Sequence, residues 1–348
     1  MNLRSVEEIL PNTRVILRMD LDVPIVDDII EDDSRLTKSI PTIKLLLEKG
    51  CKIAIIGHWG RPEGKDENLS LRPVYVELMM LLEPEGENLI ESVFVEEVGD
   101  GEKLDVALAK NQIVFLENLR FWKGEMNNDP EFLKGLTEVC QFYVNDSITE
   151  SHRRAASIML YKRLPGFYGL SFVEEVNKIE KLINNPVRPV TIVLGGTKED
   201  KLTYLNDLTK MADNILIGGK LPKLIQNPSP ASQELPLTRE PKTVVAKLRE
   251  DGLDLSDEDI NKFIEIINRS KTIVWAGAMG FFEDVNCKKG TVEIAKAVAN
   301  TEAYKVIAGG DTGASIESLG LKDKIDFVCS GGGVMLEFLT KGKLPAWE

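Results

Sequence analysis

Short apolar runs recur along the chain, and each is followed by a segment with helical character. The runs are rich in valine, isoleucine and leucine without apolar–polar alternation, which is typical of strands buried on both faces of a parallel sheet. Strand–helix alternation in both halves predicts two α/β domains, each with a parallel sheet flanked by helices. The predicted strands are residues 14–19, 51–57, 112–116, 141–145, 189–194, 212–218, 271–277, 304–309 and 326–330.

Two of the intervening helices carry recognisable start signals. Residues 39–50 have a helical pattern with Ser39 as the candidate N-cap. Residues 129–140 begin with Asp129, a plausible N-cap, followed by a proline that suits the first helical turn. These signals support the α/β assignment.

The domain boundary is expected within residues 163–189. Proline and glycine end one unit there, a long helix follows, and two further prolines stop that helix. Residues 226–241 are rich in Pro, Ser and Gln and predict an irregular surface segment.

Composition narrows the class of protein. A chain of 348 residues with 43% hydrophobic and 28% charged residues is typical of a globular protein of two domains. Its net charge of -13 argues against nucleic-acid or membrane partners. The N-terminus lacks the apolar core of a signal peptide, and the four cysteines show no metal or redox spacing. The sequence therefore predicts a cytoplasmic protein with reduced, mostly buried thiols.

Charged residues follow all four strands predicted in the first half. Ligands of open parallel sheets bind beyond the carboxyl ends of the strands, so these residues are expected to share one edge. A single arginine there is most simply a solvated side chain, but the set favours a cationic pocket for a small, multiply charged anion. The residues are Asp20 and Asp22, His58 and Arg61, Arg120, and His152, Arg153 and Arg154, with Arg35 after a nearby acidic stretch.

Glycines occupy the same positions in the second half, in "LGGTK", "IGGK", "AGAMG", "AGGDTG" and "SGGG". Glycine lets backbone N–H groups approach phosphate oxygens, and a helix N-terminus adds a favourable dipole. Asp311 and Thr312 in "GGDTG" have two open interpretations, a helix N-cap or a Mg²⁺ site. The Walker A spacing is absent, and no G-x-G-x-x-G turn supports a nicotinamide dehydrogenase. The first half of the chain is suited to a small anion and the second half to a polyphosphate. Together they predict a phosphotransferase with two substrates, whose two lobes close over the reactants.

The motifs follow one another as "RMDLDVP", "SRLTKSIPTIKLLLEKG", "GHWGRP", "LENLRF", "YVNDSITESHRRAAS", "LGGTKEDK", "GAMGFFE", "GGDT" and "CSGGGVMLEFLTKGKLP". In this combination and order, the chain resembles the phosphoglycerate kinase family nearly from end to end. The resemblance implies two Rossmann-like domains joined by a long interdomain helix and hinge. It implies an N-terminal phosphoglycerate-binding domain at 1–167, on which residues 335–348 pack, and a C-terminal nucleotide-binding domain at 168–334.

The implied activity is reversible phosphoryl transfer between MgATP and the carboxylate of 3-phosphoglycerate, giving 1,3-bisphosphoglycerate, as in glycolysis. ATP or ADP is the implied co-substrate, Mg²⁺ the cofactor, and a monomer the assembly. The implied phosphoglycerate ligands are Asp20, Asp22, Arg35, His58, Arg61, Arg120 and Arg153. The implied catalytic residues are Arg35, Lys198, Gly310 and Gly332. The implied nucleotide site comprises Lys198, Lys201, Glu283, Gly309, Gly310, Asp311 and Thr312, with Asp311 serving the metal.

Some positions differ from the family pattern. Asp22 stands where the family has Asn, Glu150 adds a negative charge near the anion site, and the "GGTKEDK" loop is one residue shorter. These differences leave two alternatives open: a catalytically weakened binding or regulatory protein of this fold, and a kinase for a different phosphorylated acid.

Overall fold

The computed structural model describes residues 3–27, 29–83, 89–226 and 242–347. The chain forms two compact units, Met1–Val176 with Leu344–Glu348, and Asn177–Lys343. The domain boundaries predicted from the sequence, at 167/168 and 334/335, remain a prediction. Nearly all of the predicted irregular segment, residues 227–241, lies outside the described residues.

The first unit contains a six-stranded sheet in the order β5-β6-β4-β1-β7-β8, and all of its pairings are parallel. A separate antiparallel pair, β2 with β3, follows the first strand. The strands are β1 Arg14–Arg18, β2 Ile25–Val26, β3 Ile29–Ile30, β4 Lys52–Ile56, β5 Ser92–Val95, β6 Ile113–Leu116, β7 Phe142–Asn145 and β8 Gly166–Tyr168. The helices are α1 Ser34–Glu48, α2 Arg72–Leu82, α3 Gly101–Lys110, α4 Lys123–Met126 and α5 Lys134–Val139.

The second unit repeats this architecture with a parallel sheet in the order β11-β10-β9-β12-β13-β14. Helix α6, Leu170–Asn184, includes residues assigned to both units. The strands are β9 Val190–Leu194, β10 Asn214–Ile217, β11 Lys242–Val245, β12 Thr272–Ala276, β13 Tyr304–Ala308 and β14 Phe327–Cys329. The other helices are α7 Leu205–Leu208, α8 Leu221–Gln226, α9 Asp257–Asn268, α10 Lys289–Asn300, α11 Gly310–Ser318 and α12 Gly332–Lys341.

The apolar strands are buried on both faces, as their continuous hydrophobic character predicts. In β1, Val15 and Leu17 belong to a core cluster that also contains α1 and α2 residues. Ile16 points the opposite way, into a cluster built from α3 and α5 residues. Because successive side chains of a strand face opposite sides, two helical layers require apolar residues at every position. The predicted fold class and all nine predicted strands are confirmed.

The structure also corrects both predicted helix starts and bears out the cysteine prediction. Helix α5 begins at Lys134 with Leu133 as its N-cap, so Asp129 lies in the irregular segment before the helix and is not its cap. Helix α1 begins at Ser34 with Asp33 as its N-cap, so Ser39 is a buried helical residue rather than a cap. All four cysteines are free and buried. Within the described ranges, no helix is both long and apolar enough to cross a membrane.

Candidate active site

Arg35 and Asp20 form an ion pair at the carboxyl edge of the first sheet. Asp20 lies two residues beyond β1, and Arg35 occupies the first turn of α1. The guanidinium Nη1 of Arg35 lies 3.1 Å from Asp20 Oδ1 and 3.3 Å from Asp20 Oδ2. Burial alone would lower the pKa of Arg35, but the charges of Asp20 and Asp22 and the Asp20 hydrogen bond raise it. Arg35 is therefore a permanently charged, well-oriented cation.

His58, two residues after β4, is buried and surrounded by positive charge. Burial, followed by the charges of four arginines, lowers the pKa of His58 well below its usual range. The imidazole is therefore neutral at physiological pH, with one nitrogen able to donate and the other to accept. The arginines whose charges act on it are Arg120, Arg18, Arg153 and Arg35.

Arg120 is fixed by a network that joins two strand ends. Its Nη1 donates to Gly60 O at 2.7 Å, and its backbone N–H donates to Asn118 Oδ1 at 3.1 Å. The buried Asn118 side chain also donates to Trp59 O at 2.7 Å. Asp22 accepts a 2.8 Å hydrogen bond from the Gly60 N–H. These bonds lock the "GHWGRP" turn against the "ENLRF" turn.

The turn after β7 brings a carboxylate to two of the arginines. Glu150 Oε2 lies 2.9 Å from Arg120 Nη2 and 2.6 Å from Arg153 Nε. The first contact is a hydrogen bond; the second is an ion pair whose angle does not make a hydrogen bond. Arg61 is exposed and directly follows Gly60 in the chain.

Arg18, the last residue of β1, is a buried cation that the sequence-based site did not include. Its Nε donates to Ser157 Oγ at 3.1 Å, and that hydroxyl donates to Glu125 Oε1 at 2.6 Å. Its Nη1 has no hydrogen-bond partner within the described part of the chain. Arg18 was missed in the sequence because it lies within the apolar run 14–19 rather than after it. Arg18 adds positive potential beneath His58.

The second unit places three glycine turns in contact at the carboxyl edge of its sheet. Gly196 N–H donates to Ala278 O at 2.7 Å, Lys220 N–H donates to Gly196 O at 2.9 Å, and Gly219 N–H donates to Met279 O at 3.1 Å. Gly196 and Gly219 have φ angles of 84° and 62°, a region that favours glycine. A side chain at Gly219 would overlap the backbone of Gly196. Here the glycines are required for three backbones to approach one another.

Lys201 is hydrogen-bonded to the backbone of this group of turns. Its Nζ donates to Gly195 O at 2.8 Å and to Ala276 O at 3.0 Å. Burial lowers the pKa of Lys201 to about 8, and the charge of Lys198 acts in the same direction. Lys198 is the N-cap residue of a 3-10 helix that contains Lys201, and it is exposed.

The first residues of α11 and α12 lie side by side. A Cβ built on Gly309 would be 3.5 Å from Gly332 Cα, and one built on Gly332 would be 3.4 Å from Gly309 Cα. Gly309 is the N-cap of α11, so Asp311 and Thr312 lie in the first turn, and the N-cap interpretation of this pair is wrong. Thr312 is buried and accepts a 2.7 Å hydrogen bond from Gly277 N–H. Two helix N-termini therefore present N–H groups and dipoles to a shared location.

A cavity of about 350 Å³ opens beside these turns. This volume lies at the lower end of the range for small-molecule sites. Glu283 and Asp311 line it, as do several residues absent from the sequence-based site. Lys220 could have been predicted from its place in the "IGGK" turn. For Phe281 and Phe282, the only feature of the sequence that points to the site is that they follow a glycine turn. The lining consists of Gly196, Thr197, Gly219, Lys220, Leu253, Ala278, Gly280, Phe281, Phe282, Glu283, Asp311 and Ala314.

Comparison with known proteins gives one consistent answer. The family model for phosphoglycerate kinase matches residues 6–227 and 229–343. The phosphoglycerate kinase of Dictyoglomus turgidum is 35% identical, covering 97% of this chain and 96% of that protein. The phosphoglycerate kinase of Clostridioides difficile is 33% identical, covering 99% and 97%. The phosphoglycerate kinase structure from Pyrococcus horikoshii superposes with a TM-score of 0.82 at 25% identity, covering 99% of this chain and 98% of that one. The chain belongs to the phosphoglycerate kinase family.

Proposed function

We propose that this protein is a phosphoglycerate kinase that transfers a phosphoryl group reversibly between ATP and the carboxylate of 3-phosphoglycerate. The observation that carries the proposal is the cluster of cationic side chains after four neighbouring strands of the first sheet, in which Arg120 and Arg153 converge on one carboxylate oxygen. Family membership and the glycine turns of the second unit support it. The reaction requires the acceptor and donor groups of the two units to meet during turnover, and we propose closure about a hinge for this step.

On the acceptor side, the first unit binds and orients an anion. A carboxylate acceptor is already ionised at neutral pH, so no general base is needed. Arg120, Arg153 and Arg61 would hold the substrate's phosphate, with His58 as a neutral hydrogen-bonding partner and with Asp20 and Asp22 ordering the turn. Arg35, oriented by Asp20, would neutralise charge on the transferring phosphoryl group.

On the donor side, the second unit offers backbone dipoles and lysines. The N-termini of α11 and α12, at Gly310 and Gly332, would stabilise negative charge on the transferring group without reorganising. Lys198, exposed at the loop, would accompany that group, while Lys201 would contact the nucleotide phosphates. Glu283 at the cavity wall would accept from the ribose hydroxyls.

Mg²⁺ would be held by Asp311. Its carboxylate is exposed and lines the cavity, which fits an ion that keeps several waters and takes one or two carboxylates plus substrate phosphates. Bound there, the ion would neutralise phosphate charge. We further propose a cytoplasmic monomer, an assembly that analytical ultracentrifugation tests.

A coupled assay tests the function directly. With 3-phosphoglycerate and MgATP, the purified protein is expected to consume ATP with kcat on the order of 1–10³ s⁻¹. Omission of 3-phosphoglycerate should abolish turnover, and nucleotide binding without any 3-phosphoglycerate-dependent ATP consumption would contradict the proposal.

A kinase for a different phosphorylated carboxylic acid is the second candidate. The Glu150 carboxylate between Arg120 and Arg153 favours it, because it changes the charge of the anion site. A panel of phosphorylated acids in the same assay separates the two candidates. A kcat/KM at least about tenfold higher for another acid would favour the second.

Nucleotide binding is expected to take up a proton at Lys201. The pKa of Lys201 is about 8 in the free protein, and phosphate oxygens close by favour its charged form. At pH 8 about half of the lysines are neutral, so ADP binding should take up roughly half a proton, and almost none at pH 6. Isothermal titration calorimetry in buffers of different ionisation enthalpy measures this uptake.

Two variants make the proton assignment specific. Lys201→Met should abolish the uptake at pH 8, whereas Lys210→Met, which removes an exposed lysine paired with Asp207, should retain it. An uptake that persists in Lys201→Met would assign the proton to another group.

A further inference from the structure

Glu150 occupies the position of an anion between two substrate-binding arginines. One carboxylate oxygen, Oε2, contacts both Arg120 Nη2 and Arg153 Nε, at 2.9 Å and 2.6 Å. The side chains of Glu150 and Arg120 are only 18% and 9% exposed. Guanidinium groups bind carboxylate and phosphate through the same donors, so Glu150 uses the groups that a substrate phosphate would need.

The turn that carries Glu150 is fastened on both sides. Thr149 Oγ1, just before it, donates to Asp20 Oδ2 at 3.0 Å. Ser151 Oγ, just after it, donates to Ser147 O at 2.9 Å. Ser151 Oγ also accepts a 3.2 Å hydrogen bond from Asn145 Nδ2. These bonds restrain the turn on both sides of Glu150, so rotation of its side chain is enough to withdraw the carboxylate from the arginines.

Arg120 already directs one of its five side-chain N–H donors at Glu150. Its Nη1 is engaged by Gly60 O, and its backbone N–H is held by Asn118. The remaining terminal nitrogen, Nη2, donates to Glu150. A phosphate that needs this nitrogen must compete with the carboxylate already there.

We propose that Glu150 acts as an internal competitor for the substrate's anionic group and thereby sets the affinity of the site. This inference rests on the proposed function for the identity of the substrate, but not for the presence of an anion site. A phosphate has more charge and more acceptor oxygens than a carboxylate, so it can displace Glu150 from the shared donors. Glu150 thus lowers the apparent affinity of the site for every anion that needs these donors, by the fraction of the protein in which the donors are free.

Binding of inorganic phosphate tests the competitor role without nucleotide or turnover. Inorganic phosphate is titrated into the protein at pH 8 and its binding is measured by calorimetry. The Kd of phosphate is expected to be about tenfold lower for Glu150→Gln than for the native protein. Glu150→Asp, which keeps the charge but withdraws it by one methylene, should give an intermediate Kd. Glu138→Gln, which removes an exposed carboxylate on α5, should leave the Kd unchanged.

Kinetics supply the second readout. Glu150→Gln should lower KM for 3-phosphoglycerate about tenfold, with kcat within about threefold of the native value. Thermal unfolding and near-ultraviolet circular dichroism verify that each variant is folded.

The outcomes separate two roles of Glu150. If folded Glu150→Gln binds phosphate as the native protein does, or more weakly, then Glu150 orients the arginines rather than competing for them, and the proposal is wrong. If phosphate binding strengthens while 3-phosphoglycerate supports no turnover, the competitor role stands and the proposed function fails.

Discussion

Arg35→Ala is expected to lower kcat by about 10³-fold, the effect of removing a preorganised cation from a phosphoryl-transfer site. In the structure this guanidinium is partly buried and its pKa is raised, so it stays charged. Because its ion pair with Asp20 already holds it in position, it needs no reorganisation before it acts. Because the interaction strengthens as charge develops on the transferring group, KM for 3-phosphoglycerate should change much less than kcat.

Steady-state kinetics with two comparison variants check this expectation. Arg35→Lys keeps a positive charge but loses the planar fork, so its kcat should fall between those of the native protein and Arg35→Ala. Lys44→Ala removes an exposed cation from the same helix and should leave kcat unchanged. Normal turnover by folded Arg35→Ala would remove Arg35 from the catalytic role.

The first-unit site was predictable because topology alone groups its residues. Asp20, His58, Arg120 and Arg153 follow β1, β4, β6 and β7, and these four strands are neighbours in the sheet. Parallel strands present their carboxyl ends at one edge, so a residue's place after an apolar run was enough to position it. Apolar runs are readable in the sequence because both faces of the sheet are covered by helices.

Side-chain pairing was not predictable in the same way. The sequence marks Glu150 as an added acid, but only the fold shows that its carboxylate reaches two arginines. Arg18 lies within an apolar run, and nothing local distinguishes a buried, functional arginine from a strand-end charge. The contact of Arg18 with Ser157 joins residues 139 positions apart in the chain, so only the folded structure reveals it.

The missed strands share a different cause. Strands β2 and β3 have only two residues each, and β5, β8 and β11 have three or four and lie at the sheet edges. Edge strands are half exposed, so their sequences mix polar and apolar residues and lack the continuous apolar character used to find the others. The start of α1 was misplaced because serine is a favoured N-cap residue, whereas Ser39 lies inside the helix, which begins at Ser34.

Gly277→Ala is expected to have the largest effect on the nucleotide site. Gly277 has a φ of 105°, and a Cβ there would overlap Gly195 O and Lys201 Nζ. Its N–H donates to Thr312 Oγ1, and its carbonyl accepts from Trp275 Nε1 at 2.8 Å. The substitution therefore displaces the "GGTKEDK" loop, the buried lysine and the first turn of α11 together. We expect a loss of about 3 kcal/mol in the free energy of unfolding and at least about 100-fold weaker ADP binding.

Gly313→Ala is the matched control, because the same substitution meets a different environment. Gly313 lies within α11, its φ is not positive, and a Cβ there would contact only Val328 Cγ1, at 3.4 Å. Alanine favours helix over glycine by about 1 kcal/mol, so this variant should be slightly more stable and bind ADP normally. Urea unfolding and calorimetric ADP titration measure both quantities. Phosphate binding by the first unit should survive in folded Gly277→Ala, since the change is confined to the second. Equal ADP affinity in the two variants would contradict the view that these interlocked glycine turns form the phosphate-binding surface.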